Sequence, residues 1–154
     1  MYDDDLGALV DGQMTKVPET WVMEYLNVTS GNHTVPTATV RLRRAASGRS
    51  KKETVLEDAG VGDGPVDAAL KAIDRLTETR GSLKDYSIRA VSQGKDALGE
   101  VSVKVDFGEG ELVTGKGAST DIIEASAKAY LNAVNRQLNS GLPKKKRRKT
   151  NRQL

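Results

Sequence analysis

The chain has 154 residues, with 24 Lys+Arg against 21 Asp+Glu, one His, no Cys and 37% hydrophobic residues, which suits one domain or two very small ones. Without cysteine there is no disulfide framework, thiolate metal site or Cys nucleophile, and a lone histidine excludes a His-pair metal site or proton shuttle. The charge is uneven: residues 144–154, KKKRRKTNRQL, hold seven basic residues and no acidic one, so the rest is mildly acidic and offers no basic face to a phosphate backbone.

In chain order, Asp3 to Val10 places acids ahead of Leu6, Ala8, Leu9 and Val10, the pattern of a short helix with its acids at the positive end of the dipole. Residues 1–19 are read as this helix and a linker. Their acidic start does not match a secretory signal, and no apolar run is long enough for a membrane span, so a cytoplasmic protein is expected.

From Thr20 the text alternates. Trp21, Met23 and Tyr25 interleave with Val22, Glu24 and Leu26, and Ala38, Val40 and Leu42 with Thr39, Arg41 and Arg43, which predicts two strands. Ser47 to Lys52 reads as a turn and Glu53 to Asp58 as a third strand. Pro65 then stands as the first residue of a helix, with Val66, Ala69, Leu70, Ile73 and Leu76 on its apolar face.

The second half repeats this order. Tyr86, Ile88 and Ala90 predict one strand, Val101 to Phe107 a second, and Glu111 to Thr114 a third after the Glu109-Gly110 turn. A helix follows Ser119-Thr120-Asp121, with Ile123, Ala127, Tyr130, Val134 and Leu138 on one face. A shift of 61 residues lays Tyr25 on Tyr86, Val40 on Val101, Ile73 on Val134 and Arg75 on Arg136, and the third strands match best at 58. The fold class is therefore α+β: two tandem βββα units, residues 20–80 and 83–140, related by a pseudo-two-fold. Units of about 60 residues bury too little surface to stand alone and should pack together, with a seam that could hold a small ligand near both helix starts.

Gly62-Asp63-Gly64-Pro65-Val66-Asp67 has two readings. It is a tight turn with Asp63 as helix cap, or a glycine-bearing helix start whose free N–H groups accept an anion such as an amino acid's carboxylate. Gly110-Glu-Leu-Val-Thr-Gly115-Lys116 resembles a phosphate-binding loop but has Gly117 where that motif needs Ser or Thr, and its middle reads as strand. His33 lies in a turn, and Asp3, Asp4 and Asp5 lack the spacing of a calcium loop. The tail, residues 141–154, is expected to be a disordered solubilising extension, with nucleic acid not expected as a partner.

Five blocks carry a resemblance: Tyr25-Leu-Asn-Val-Thr-Ser-Gly, Thr37-Ala-Thr-Val-Arg-Leu, Gly62-Asp-Gly-Pro-Val-Asp-Ala-Ala, Gly94-Lys-Asp-Ala-Leu-Gly-Glu-Val and Thr120-Asp-Ile-Ile-Glu-Ala-Ser-Ala-Lys-Ala-Tyr. In this order, over about residues 3 to 138, the chain resembles the C-terminal regulatory domain of 2-isopropylmalate synthase, and the sister enzyme citramalate synthase has a similar domain. The resemblance implies a feedback-regulatory module that binds leucine, or isoleucine in the sister family, and pairs with a second copy. It also implies a parent acyltransferase whose N-terminal (β/α)₈ barrel condenses acetyl-CoA with 2-oxoisovalerate on a divalent metal. That barrel and its metal ligands have no counterpart in this sequence, so no catalysis and no cofactor are expected of the chain alone. A stand-alone amino-acid sensor or a bare dimerisation module are the alternatives. The effector pocket that the resemblance implies falls on Gly62, Asp63, Gly64, Pro65 and Val66 and on Leu83, Tyr86, Ala90 and Ala97.

Overall fold

The computed structural model describes residues 19–45, 53–93 and 96–139, and of Ser92, Gln93 and Asp96 the backbone alone. The expected Asp3–Val10 helix, the Ser47–Lys52 turn and the basic tail lie outside these residues. The elements are β1 (Trp21–Gly31), β2 (Thr34–Arg44), β3 (Thr54–Val61), α1 (Pro65–Thr77), β4 (Ser82–Gln93), β5 (Asp96–Asp106), β6 (Leu112–Ser119) and α2 (Ile122–Leu138). They form two antiparallel three-stranded sheets, β1-β2-β3 and β4-β5-β6, each followed by its helix. This is the tandem βββα architecture expected from the repeat.

Each sheet has one apolar face because its middle strand alternates. Ala38, Val40 and Leu42 of β2 and Val101, Val103 and Val105 of β5 are buried, while Arg41 and Arg43 face outward and pair with Glu57, Glu24 and Glu53. Helix α1 covers β2 and β3, α2 covers β5 and β6, both reach β1, and the two helices touch. Neither helix packs along β4 to a comparable extent.

The helices lie unusually close to the sheets because the contact residues are Gly and Ala. A Cβ on Gly60 would sit 2.7 Å from the Ala68 carbonyl oxygen, and one on Gly115 would sit 2.1 Å from that of Ala129. This explains why β6 runs on to Ser119, beyond the expected Thr114. Gly115 and Gly117 are strand residues on which α2 rests, and not part of a phosphate loop.

Three details of the repeat differ from the sequence reading. Val40 pairs with Asp58 and Val101 with Gly117, so the third strands are offset by 59 residues, not 58. Tyr25 and Tyr86 are not equivalent: β1 is bulged between Met23 and Tyr25 and β4 between Leu83 and Asp85, and past these bulges Tyr25 stands on the outer face opposite Arg41, whereas Tyr86 faces the helices opposite Val103. One inserted residue reverses the side on which every later side chain points. Leu138, placed on the buried stripe of α2 by its spacing, is 39% exposed at the helix end.

The 61-residue offset also aligns two junctions. Asn135 of α2 grips the start of β1: the Trp21 N–H donates to its Oδ1 at 2.9 Å and its Nδ2 donates to the Trp21 carbonyl at 3.0 Å. Its counterpart in α1 is Asp74, at the start of β4. Asp74 accepts from the Tyr130 hydroxyl of α2 at 2.5 Å, from the Thr79 hydroxyl at 3.1 Å and from the Gly81 N–H.

Candidate functional site

The site begins with the chain reversal into α1. The Gly62 N–H donates to the Pro36 carbonyl at 3.1 Å, and a Cβ at Gly62 would fall 2.5 Å from the Ala68 nitrogen, so only glycine fits this turn. The Asp63 N–H donates to Asp67 Oδ2 at 2.9 Å, and Lys71 pairs with the same oxygen at 3.2 Å. Chiefly through the Asp63 bond, the Asp67 carboxyl is held below its ordinary range.

Gly64 is the N-cap, in an extended conformation with no side-chain cap, and Pro65 occupies the first helical position as its fixed φ predicts. Asp63 is therefore not the cap, contrary to one of its two sequence readings: its backbone is engaged one residue too early, by Asp67. Helix α2 is closed differently. Asp121 Oδ1 accepts the Ile123 N–H at 2.9 Å, and the Ser119 hydroxyl donates to Glu124 at 2.8 Å. Of the two helix starts, that of α1 alone has no side chain capping its first-turn amides, which leaves them with the helix dipole to attract an anion.

The two starts converge, as the pseudo-two-fold suggested. A cleft of about 400 Å³ is lined by Leu26, Asn27, Val28 and Ser30 of β1, by Pro65, and by Asp121 and Ile123. A contiguous cleft of about 200 Å³ shares Leu26 and Asp121 and adds Glu24, Tyr25 and Glu124. The larger has Leu26, Val28 and Ile123 beside the polar Asn27 and Ser30 in its walls, Pro65 of the uncapped α1 start at one side and the Asp121 carboxylate at the other. Its volume is in the range of small-molecule sites.

Gly62 to Val66 thus lie together at the start of α1, with Pro65 in the cleft wall. The other four expected residues stand apart from them. Leu83, Tyr86 and Ala90 lie on the helix-side face of β4, opposite Val105, Val103 and Gly99, and Ala97 pairs with Ser92 in the β4–β5 hairpin. Tyr86 shares a 2.6 Å hydrogen bond with Ser126 of α2. Leu83 is 38% and Ile88 51% exposed, an apolar strip that the other described residues leave open. None of these four residues lines the cleft at the α1 start.

The cleft residues Leu26, Val28, Asp121 and Ile123 were not among the expected site residues. Leu26 and Val28 sit inside the first quoted block and Asp121 and Ile123 inside the last, but their alternation and capping signals already had structural explanations. His33 lies exposed in the β1–β2 turn. Among the described residues no three His, Asp or Glu side chains converge as a metal site, and no helix is long and apolar enough to cross a membrane.

The family described as the LeuA allosteric (dimerisation) domain matches residues 1–138. A 2-isopropylmalate synthase of Methylacidiphilum infernorum is 53% identical over 138 residues, covering 90% of this chain and 26% of the relative. The 2-isopropylmalate synthase of Heliobacterium modesticaldum is 53% identical over 144 residues, covering 94% and 27%, and that of Carboxydothermus hydrogenoformans is 51% identical over 136 residues, covering 88% and 25%. The chain therefore spans about a quarter of the length of these relatives, at the scale of a regulatory domain. With its two βββα units and a family match over nearly all of its length, the chain belongs to the LeuA allosteric (dimerisation) domain family.

Proposed function

We propose that this chain is the leucine-binding feedback domain of a 2-isopropylmalate synthase, acting in leucine biosynthesis in the cytoplasm and without catalytic activity of its own. The observation that carries the reading is the uncapped start of α1, whose Pro65 lines a cleft with Leu26, Val28, Ile123 and the Asp121 carboxylate. Each part of a free amino acid finds a complementary group there. The carboxylate docks on the first-turn amides of α1, the ammonium on Asp121, and the isobutyl group against Leu26, Val28 and Ile123. The reaction belongs to a separate barrel domain, which would hold the divalent metal and both substrates.

The domain works as a homodimer, with the open helix-side strip of β4 as its pairing face. Family description and geometry support this together: the family is named for dimerisation, and the corresponding face of β1 is covered by both helices while that of β4 is not. Leu83, Tyr86 and Ala90 then stand at the pairing face, where they meet a second copy.

Titration calorimetry of the 154-residue chain with leucine, isoleucine and valine tests the reading. Saturable binding that favours leucine is expected, and an isoleucine preference would instead assign the domain to the citramalate branch. The decisive variant is Gly64→Asp. A Cβ at Gly64 meets nothing within 4 Å and its backbone is extended, so the substitution fits the fold. Asp is among the best N-caps, and its carboxylate would occupy the amides that the ligand needs. The expected outcome is an unchanged or slightly raised melting temperature with leucine binding abolished. Normal leucine binding by this variant would overturn the site.

A further inference from the structure

Helix α1 has the cleft at one end and the start of β4 at the other, and the second end is held in an unusual way. At the equivalent place in the other half, Asn135 makes a two-point clamp on Trp21, donating to its carbonyl and accepting from its N–H. Asp74 can only accept. Its carboxylate gathers three donors from two segments: the Tyr130 hydroxyl of α2, and the Thr79 hydroxyl and Gly81 N–H of the α1–β4 connection. Thr79 lies beside Thr77, whose hydroxyl donates to the Ile73 carbonyl at 2.8 Å.

The joint is tightly fitted. A Cβ on Gly81 would lie 2.2 Å from the Tyr130 hydroxyl and 2.7 Å from Val105 Cγ1, so the glycine is what lets the tyrosine reach the carboxylate. Tyr130 is buried, with Phe107 beside it at 6.2 Å between ring centres. On the outer side of the joint lies a cleft of about 500 Å³ lined by Lys71, Asp74, Arg75, Glu78, Thr79 and Arg80. Beyond the joint, the one hydrogen bond from a β4 side chain to a helix among the described residues is that of Tyr86 to Ser126. The Asp74 clamp depends on an acceptor alone, lies beside open volume and precedes a strand along which neither described helix packs, whereas the Asn135 clamp is buried beside a strand that both helices reach.

We infer that Asp74 and Tyr130 form the joint through which occupancy at the start of α1 reaches β4. The helix is the lever: its thirteen residues, Pro65 to Thr77, move as one body, so a displacement of the Gly64–Pro65 end on binding appears at the Asp74 end. There it tightens or loosens the grip on Gly81, and so the seating of the strand with the open apolar strip. Asp74 and Tyr130 are positioning residues and touch no ligand. The relay rests on the leucine reading above, whereas the joint itself does not.

Hydrogen–deuterium exchange on the 154-residue chain tests both parts, with Tyr130→Phe as the main variant and Asp74→Asn as the second should the first unfold. In the ligand-free chain Tyr130→Phe is expected to speed exchange in residues 79–91 at least tenfold and to leave residues 21–31 unchanged. Equal change in both strands, or none in β4, would overturn the joint. With saturating leucine the wild type is expected to gain protection in residues 79–91. Tyr130→Phe should bind leucine within threefold of the wild-type Kd and gain no such protection, a split that a merely structural role would not produce. A variant that keeps the wild-type protection would overturn the relay. Absence of leucine binding by the wild type would overturn it too, while the ligand-free comparison still decides the joint.

Discussion

At the scale of single residues, the two helix starts solve the same problem with opposite chemistry. The backbone N–H groups at the head of a helix, four in general and three in α1 where Pro65 has none, lack intrahelical partners. At α2 Asp121 supplies an acceptor within the chain, and at α1 Gly64 supplies none. Asp121 therefore has two assigned roles, a cap for its own helix and a counter-charge for the ligand's ammonium, and one substitution separates them. Asn caps as well as Asp but carries no charge. Asp121→Asn should leave the urea unfolding midpoint nearly unchanged and weaken leucine binding at least tenfold by calorimetry. Asp121→Ala should lose binding and also about 1 kcal/mol of stability. If Asp121→Asn binds leucine as the wild type does, the ammonium is held elsewhere.

At the scale of elements, closeness of helix to sheet is the organising feature, and glycines in strands make it possible. Gly115 has the Ala129 carbonyl oxygen 2.1 Å from where its Cβ would be, and the Ala133 nitrogen at 2.7 Å. Neither backbone atom can move without shifting α2. Gly115→Ala should thus cost at least about 1 to 3 kcal/mol in urea unfolding, as overpacked cores do, while Gly64→Ala, in open space but at the N-cap, should cost no more than about 1 kcal/mol. These positions also mark where the sequence was legible and where it was not. The alternation of β2 and β5 and the Pro65 and Asp121 helix starts specified strands, helices and the duplication, because period and capping are local properties. Gly115 and Gly117 fell beyond the expected strand Glu111 to Thr114, since the requirement for them comes from a helix folded back from residues 122–138. The faces that Tyr25 and Tyr86 take are likewise set by the register of β1 on β2 and of β4 on β5, each bulged near its start. Within the site, the glycine turn was visible as text, but Asp121 and Ile123 reach the cleft only because the two units pack across a seam.

At the scale of the whole molecule, the duplication is symmetric in topology and asymmetric in coverage. Met23, Leu26 and Val28 on β1 pack against the core, whereas Leu83 and Ile88 on β4 remain open. An exposed apolar strip on an edge strand invites association, and in a dimerisation family the fitting occupant is the same strip of a second copy, related by a two-fold. Ile88 is the place to test this because its side chain is 51% exposed, so a charge there costs the single chain little. Ile88→Asp should keep the wild-type circular dichroism and elute as a monomer in size-exclusion chromatography with light scattering, where the wild type elutes as a dimer. A variant that remains dimeric would assign pairing to another face. The same monomer then separates two arrangements of the leucine site. The cleft between the helix starts is built within one chain, so the monomer should bind leucine within a few-fold of the dimer. If binding is lost with the fold intact, the site also needs the partner's β4. Leu83, Tyr86 and Ala90 would then meet the Gly62–Val66 turn across the interface.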